Sequence, residues 1–336
     1  MITARHAGWL VLLALGLALP LFVHNDYSLT VMSTAYIFAL ATVGLNLITG
    51  YAGQFNLAHG GFMAIGAYTV GILTVDYHVP FWIAFALSGV VCVAIGFFVG
   101  ILSLRLRGNY FAIFTLCVGY IIFLVIEKWD SLTHGVVGII GIAAPPGFAL
   151  PGFGPISFDS PRSLYYLTLA FLAAGLWLMH RIVNSLLGHT FIAIRNGENL
   201  AQALGIDLMR NKLLAFLIST FYAGIAGGLY AGFVRFLGPD LAGIEHTFDM
   251  TMYMMVGGVG TLAGPLIGAL AVPWITQYLQ FMQDYRFLVF GPLLIVLLIF
   301  LPRGLVGFYE SARSRLALHR VPQAAVRRAP QGDGHA

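Results

Sequence analysis

The sequence predicts an all-α membrane protein: a polytopic transmembrane bundle of about eight to ten helices, with two glycine-broken segments and an internal repeat. Three observations predict it. Charge is scarce, with 17 Lys and Arg and 13 Asp and Glu among 336 residues. The charge-free runs are long, covering residues 6–25, 27–75, 77–104, 108–126, 163–180, 213–234, 250–283 and 287–302. A bilayer core takes ~20 apolar residues per helical span, so each run holds one or two spans. Hydrophobic residues make up 59% of the chain and mean hydropathy is +0.88. A soluble domain has about 45–50% apolar and about 25% charged residues, so this chain lacks the charge to keep so much apolar surface in water. Spanning segments must satisfy their own backbone polar groups, which selects helices. A β-barrel would alternate apolar and polar residues, and runs such as Val11-Leu12-Leu13-Ala14-Leu15 do not.

Helices are expected at about 7–23, 29–49, 57–75, 81–103, 110–127, 163–181, 212–236, 247–258, 262–282 and 285–301. The first follows Arg5 and precedes His24-Asn25-Asp26-Tyr27. With no small-residue cleavage site after it, it reads as a retained span. The next pair flanks a break at 50–60, and the pair at 247–282 flanks a second break at 256–265. The last run is short for a bilayer and must borrow flanking residues.

Lys and Arg in short loops collect on the cytoplasmic side. They fall at Arg105 and Arg107; at Arg181, Arg195, Arg210 and Lys212; and at Arg303, Arg313, Arg315, Arg320, Arg327 and Arg328. Placing all three groups in the cytoplasm puts 128–162 outside. Pro145, Pro146, Gly147, Pro151, Gly152, Gly154 and Pro155 predict turns there, with little helix. Residues 1–320 read as one transmembrane domain, with a polar loop at about 182–211, and 321–336 as a basic, disordered cytoplasmic tail beside the lipid bilayer.

Two stretches look alike. Gly44-Leu45-Asn46-Leu47-Ile48-Thr49-Gly50 leads through Gly53 into Gly60-Gly61-Phe62-Met63-Ala64-Ile65-Gly66-Ala67. Gly257-Gly258-Val259-Gly260-Thr261-Leu262-Ala263-Gly264-Pro265-Leu266-Ile267-Gly268-Ala269 repeats the theme. Paired glycine-interrupted segments point to structural repeats with a site between them; glycine also serves close helix packing.

Segment 181–212 is the long polar stretch between spans. Phe191, Ile194, Ala201 and Leu204 fall near helical spacing and predict one apolar face, with Gly205 as the stop. Such a helix docks in a groove on a partner or rests on the lipid interface. Cys92 and Cys117 sit in apolar runs and predict no disulfide, and no Cys/His spacing suits a metal. Neither a Walker A pattern nor H-E-x-x-H is present, so the chain does not read as an enzyme or as its own ATPase. Nothing in it points to nucleic acid.

The chain resembles the ABC importer permeases, and within them the permease family for branched-chain amino acids and related amides. The resemblance covers roughly residues 30–305 and rests on four ordered signatures. The first is Gly53-Gln54, His59-Gly60, Phe62 and Ile65-Gly66-Ala67-Tyr68. The second is Arg105-Leu106-Arg107-Gly108-Asn109-Tyr110-Phe111-Ala112. The third is Ala193-Ile194-Arg195, Glu198, Ala201, Ala203-Leu204-Gly205-Ile206, Lys212 and Ala215-Phe216. The fourth is Gly257-Gly258-Val259-Gly260-Thr261-Leu262, Gly264 and Pro265. Gln202 stands where the family loop commonly has an acidic residue, and Asn56 where serine is frequent.

The resemblance implies a multi-pass subunit of the bacterial inner (plasma) membrane, with a cytoplasmic C-terminus. It would translocate branched-chain amino acids delivered by a periplasmic substrate-binding protein. Urea and short amides are the alternative cargo, and an ion-coupled secondary transporter the alternative class. Loop 190–205 would be a coupling helix seated on separate ABC ATPase subunits, with Ala193, Arg195, Glu198, Ala201, Ala203 and Gly205 in the contact. The chain would need no cofactor, ATP being bound by those partners. A second permease subunit, a sister chain, would complete the pore. Polar groups within spans mark pathways, and Asn46, Gln54, Asn56, His59 and Thr261 are the candidates, beside Thr49 and Gln277. The alternative is that they hydrogen-bond packed helices or broken backbone. Asp130, Thr133 and His134 lie just outside a span and would either touch the binding protein or form a plain solvated loop, and Asp240, Glu245 and Asp249 would share that face.

Overall fold

A computed structural model describes residues 16–20, 25–106, 108–150, 154–158, 160–278 and 304–307. The expected first span lies largely outside them, with 16–20 helical, and so do the expected span at 285–301 and the tail. Helix α1, Asp26–Asn46, is capped by the Asn25 side chain, which accepts from the Tyr27 amide, and continues as a π-turn over Leu47–Tyr51. Helices α2 (His59–Val75), α3 (Phe81–Ser103) and α4 (Asn109–Lys128) follow. A four-residue helix α5, Asp130–Thr133, opens the Pro/Gly-rich segment. Helix α6, Pro161–Val183, starts in a capping box between Ser160 and Ser163 with proline in its first turn. The polar loop holds α7 (Leu186–Asn196) and α8 (Glu198–Ala203). Asp207 then caps the 27-residue α9, Leu208–Val234, by accepting from the Arg210 amide. Helices α10 (Ile244–Gly257) and α11 (Gly264–Tyr278) flank the second break.

Five helices are long and apolar enough to cross a membrane, among the described residues: Asp26–Tyr51, Phe81–Ser103, Asn109–Lys128, Pro161–Val183 and Leu208–Val234. The most apolar stretch of α1 is 89% buried and that of α4 is 22% buried, so α1 is central and α4 turns most of its surface away from the bundle. Helix α9 packs along α1, α2 and α3. It approaches α2 so closely that a methyl group at Gly227 would collide with the Met63 carbonyl oxygen, and one at Gly66 with Gly224. Small residues let helices meet at this distance in lipid, where no hydrophobic force drives them together.

The two ends of the bundle differ. At one end, Leu104 and Arg105 lie beside Glu198, Asp207 and Lys212. At the other, β1 (Ile139–Ile140) pairs antiparallel with β4 (Phe236–Leu237), and β2 (Phe148–Leu150) with β3 (Gly154–Ile156). The helix-poor Pro/Gly-rich segment is therefore ordered partly by these two small ladders, which add minor β structure to an all-α fold. The charge pattern separates the same ends: Arg105, Arg195, Arg210 and Lys212 on one, the Pro/Gly-rich segment on the other.

Candidate functional site

Both glycine breaks converge beneath the polar loop. The first begins where α1 widens into its π-turn, freeing backbone groups from the helical ladder. Asn46 is 2% exposed at that point. Its Nδ2 donates to the Thr261 carbonyl oxygen at 2.7 Å, and its Oδ1 accepts from the Gly260 amide at 2.8 Å. One side chain thus satisfies two backbone groups of the second break. Thr261 in turn opens α11: its hydroxyl accepts from the Gly264 amide at 3.0 Å and donates to the Gly258 carbonyl at 2.8 Å.

Arg195, in the last turn of α7, reaches the same place. Its Nη1 donates to the Gly50 carbonyl oxygen. Gly53 has φ +73°, and a Cβ there would press on the Arg195 backbone and side chain at 3.1–3.2 Å. Gly260, also at positive φ (+73°), lies against the Arg195 guanidinium and the Gly50 carbonyl. Glycine is required at Gly53 for both reasons, conformation and space.

Gln54, Glu198 and Lys212 form a second link. Glu198 Oε1 accepts from Gln54 Nε2 at 3.2 Å and from Lys212 Nζ at 2.6 Å. The Lys212 side chain is 4% exposed and that of Glu198 29%, so the ammonium is nearly sealed and the carboxylate is partly exposed. Residues of the first break, α8 and α9 are thereby joined.

The loop differs from the single helix expected over 190–205. Gly197 is extended (φ −179°, ψ 100°) and separates α7 from α8. Phe191, Ile194 and Ala201 are buried as the spacing predicts. Leu204 is not: it is 73% exposed, and Leu200 68%. Counting helical spacing through the break put Leu204 on the wrong face. Helix α8 ends in a Schellman arrangement, with Ile206 N–H on the Ala201 carbonyl, Gly205 N–H on the Gln202 carbonyl and Gly205 at φ +85°. Ala193 is half-buried on α7 and Ala203 exposed on α8.

The remaining polar candidates bind protein groups. His59 is fully buried; Nε2 faces the Ala41 carbonyl at 2.8 Å, which can only accept, so Nε2 carries the proton and Nδ1 accepts from Ser219 Oγ at 3.4 Å. Asn56 Oδ1 accepts from the Ala58 amide at 2.9 Å, forming an Asx turn ahead of α2. Its Nδ2 is buried with no partner among the described residues. Thr49, Thr115 and Thr247 hydroxyls accept from the amides of Asn56, Leu57 and Gly60. The two other threonines were not singled out in the sequence, because each comes from a helix remote in the chain. Gln277 lies on α11, and Asp76 pairs with His134 at 3.3 Å on the opposite end. No group of metal-ligating side chains occurs among the described residues.

The family model described as "Branched-chain amino acid transport system / permease component" matches residues 27–298. The chain is 31% identical to the high-affinity branched-chain amino acid transport system permease protein LivM of Salmonella typhimurium, over 88% of this chain and 74% of that one. It is 30% identical to LivM of Escherichia coli, over 88% and 73%, and 28% identical to BraD of Pseudomonas aeruginosa, over 83% and 93%. No solved structure is significantly similar to the chain. The chain belongs to this family of membrane permease subunits, and it is a multi-pass membrane protein and not an enzyme.

Proposed function

We propose that this permease carries branched-chain amino acids inward, driven by ATPase subunits that press on the loop formed by α7 and α8. The carrying observation is the meeting of Arg195, Gly50, Asn46 and Gly260: the loop touches the first break, and the first break is tied to the second. ATP hydrolysed on a separate protein does work on this chain only through rigid contacts. A loop bonded to the first break, which Asn46 ties to the second, is such a contact. Broken helices are where a membrane path opens, because their free backbone groups replace water around a polar solute.

The Arg-bearing end is read as cytoplasmic, with the C-terminus on that side. Leu200 and Leu204 project there, and exposed apolar residues at a polar surface mark a protein contact. They are the proposed seat on the ATPase. The opposite end, with its ladders and the Asp76–His134 pair, is the proposed seat of a periplasmic binding protein. A sister permease chain completes the pore. His59 is fully buried with its Nε2–H held by the Ala41 backbone carbonyl, which cannot take up and pass on a proton, and this favours ATP over an ion gradient.

The test is leucine uptake in proteoliposomes holding the complete transporter with ATP enclosed. Leu200→Asp with Leu204→Asp is expected to release the ATPase subunits and abolish uptake while membrane insertion persists. Uptake that survives ATP removal and collapses with the proton gradient overturns the reading.

A further inference from the structure

Beside the loop lies a cleft of about 390 Å³ between α8, the start of α9 and the Leu104–Arg105 turn. That volume falls within the ~300–1,000 Å³ common for small-ligand sites. Its chemistry is unusual for an interhelical gap. Its lining combines two cations, Arg105 and Lys212, two carboxylates, Glu198 and Asp207, and the aliphatic side chains of Leu104, Ile206, Leu208 and Met209, with Lys212 already paired to Glu198. Arg105 has no partner among the described residues. Lys212 uses one bond to Glu198 and has further donors. Asp207 already holds Arg210 and its amide, and Glu198 is shared with Gln54.

We infer that this cleft binds a small zwitterion with an aliphatic side chain, on the loop side of the membrane. A lone anion would meet Glu198 and Asp207, and a lone cation would meet Arg105 and Lys212. A zwitterion satisfies both pairs: its carboxylate on Arg105 and Lys212, its ammonium on Glu198, its alkyl chain on Leu104, Ile206 and Met209. The inference rests on the transport reading, because such a ligand is the proposed cargo after release. Glu198 and Gln202, four residues apart, share one face of α8, and Leu200 points to the other. The cleft therefore stays open when the leucine face is covered. A ligand drawing on Glu198 competes with Gln54 and Lys212, so the occupied cleft loosens the link between loop and first break. Accumulated cargo slows its own import.

The experiment uses the complete transporter in proteoliposomes with ATP enclosed, with and without enclosed unlabelled leucine. Initial uptake of labelled leucine and ATP consumption are both measured. Uptake without enclosed leucine tests the transport reading by itself. Enclosed leucine is expected to slow uptake severalfold, and Arg105→Gln, an exposed position outside the proposed coupling contacts, to abolish that slowing while leaving uptake without enclosed leucine unchanged. Isocaproate and isoamylamine, each with one of the two charges, are expected to have little effect. The inference is overturned if enclosed leucine has no effect, if Arg105→Gln is slowed as much as the natural chain, or if the singly charged analogues act as strongly as leucine.

Discussion

Arg195 and Gly50 are joined across 145 residues of sequence: the guanidinium at the end of α7 donates to a carbonyl oxygen in the last turn of α1's π-helical end. A helical carbonyl would be occupied by its own ladder. The helix ends at Tyr51, which leaves this one without a following turn, and the arginine uses it to hold the polar loop on the first glycine break. Asn46, four residues before Gly50, carries the connection to the second break.

Arg195→Ala removes that bond while leaving an exposed site that tolerates substitution. A hydrogen bond to a charged group contributes about 1.5–3 kcal/mol. Leucine uptake per ATP hydrolysed is expected to fall roughly tenfold or more, each 1.4 kcal/mol being about a factor of ten. Thermal stability is expected to fall as well, so uptake is normalised to folded protein in the membrane. Parallel assays of uptake and hydrolysis check it, and unchanged coupling would remove Arg195 from the transmission route.

Asn46→Leu leaves the Gly260 amide and the Thr261 carbonyl without partners, at about 1–3 kcal/mol for each buried group. Asn46→Asp keeps the acceptor for Gly260 but sets a carboxylate oxygen against the Thr261 carbonyl. Both are expected to reduce transport more than protein level, with Asp the worse. Quantitative blotting alongside uptake separates the two effects; equal losses would mean that Asn46 serves packing alone.

Glu198→Ala strands the nearly sealed Lys212 ammonium. Breaking a buried pair costs about 3–5 kcal/mol, and the partly exposed Glu198 side places this pair below that range. The Tm of the single variant is expected to drop. Adding Lys212→Met should restore Tm but not uptake, since Gln54 would still have lost its link to the loop. Recovery of uptake with stability would show that the pair does nothing beyond folding.

Gly53→Ala and Gly227→Ala should fail differently. At Gly53 the added methyl meets a left-handed backbone, costing about 1–2 kcal/mol, and presses on Arg195. Uptake is expected to fall with the protein still in the membrane. At Gly227 the methyl strikes the Met63 carbonyl across the α2–α9 crossing, so protein level itself should fall. Membrane-fraction yield against transport per molecule distinguishes them.

Local signals located most of the helices. Phe81–Ser103 begins after Pro80 and ends before Arg105, and its ends match the expected 81–103. Helix α9 starts at Leu208, four residues before expected, because Lys212 reads as a loop residue until Glu198 is seen to neutralise it inside the helix. Gly197 interrupts the loop helix where apolar spacing ran straight through. A glycine immediately before an acidic first-turn residue, Glu198, was the signal for that break.

The chain's own composition determined that it lives in lipid as a bundle of helices, because unpaired backbone and scarce charge leave no other solution. It also marked both glycine breaks and the loop that carries Arg195 and Glu198. What only tertiary structure decided is that these three places are one. Asn46 lies 215 residues from Thr261 and Gln54 lies 144 from Glu198. Hydrogen bonds across such separations depend on helices packed side by side, and no periodicity within a segment encodes which segment will be its neighbour.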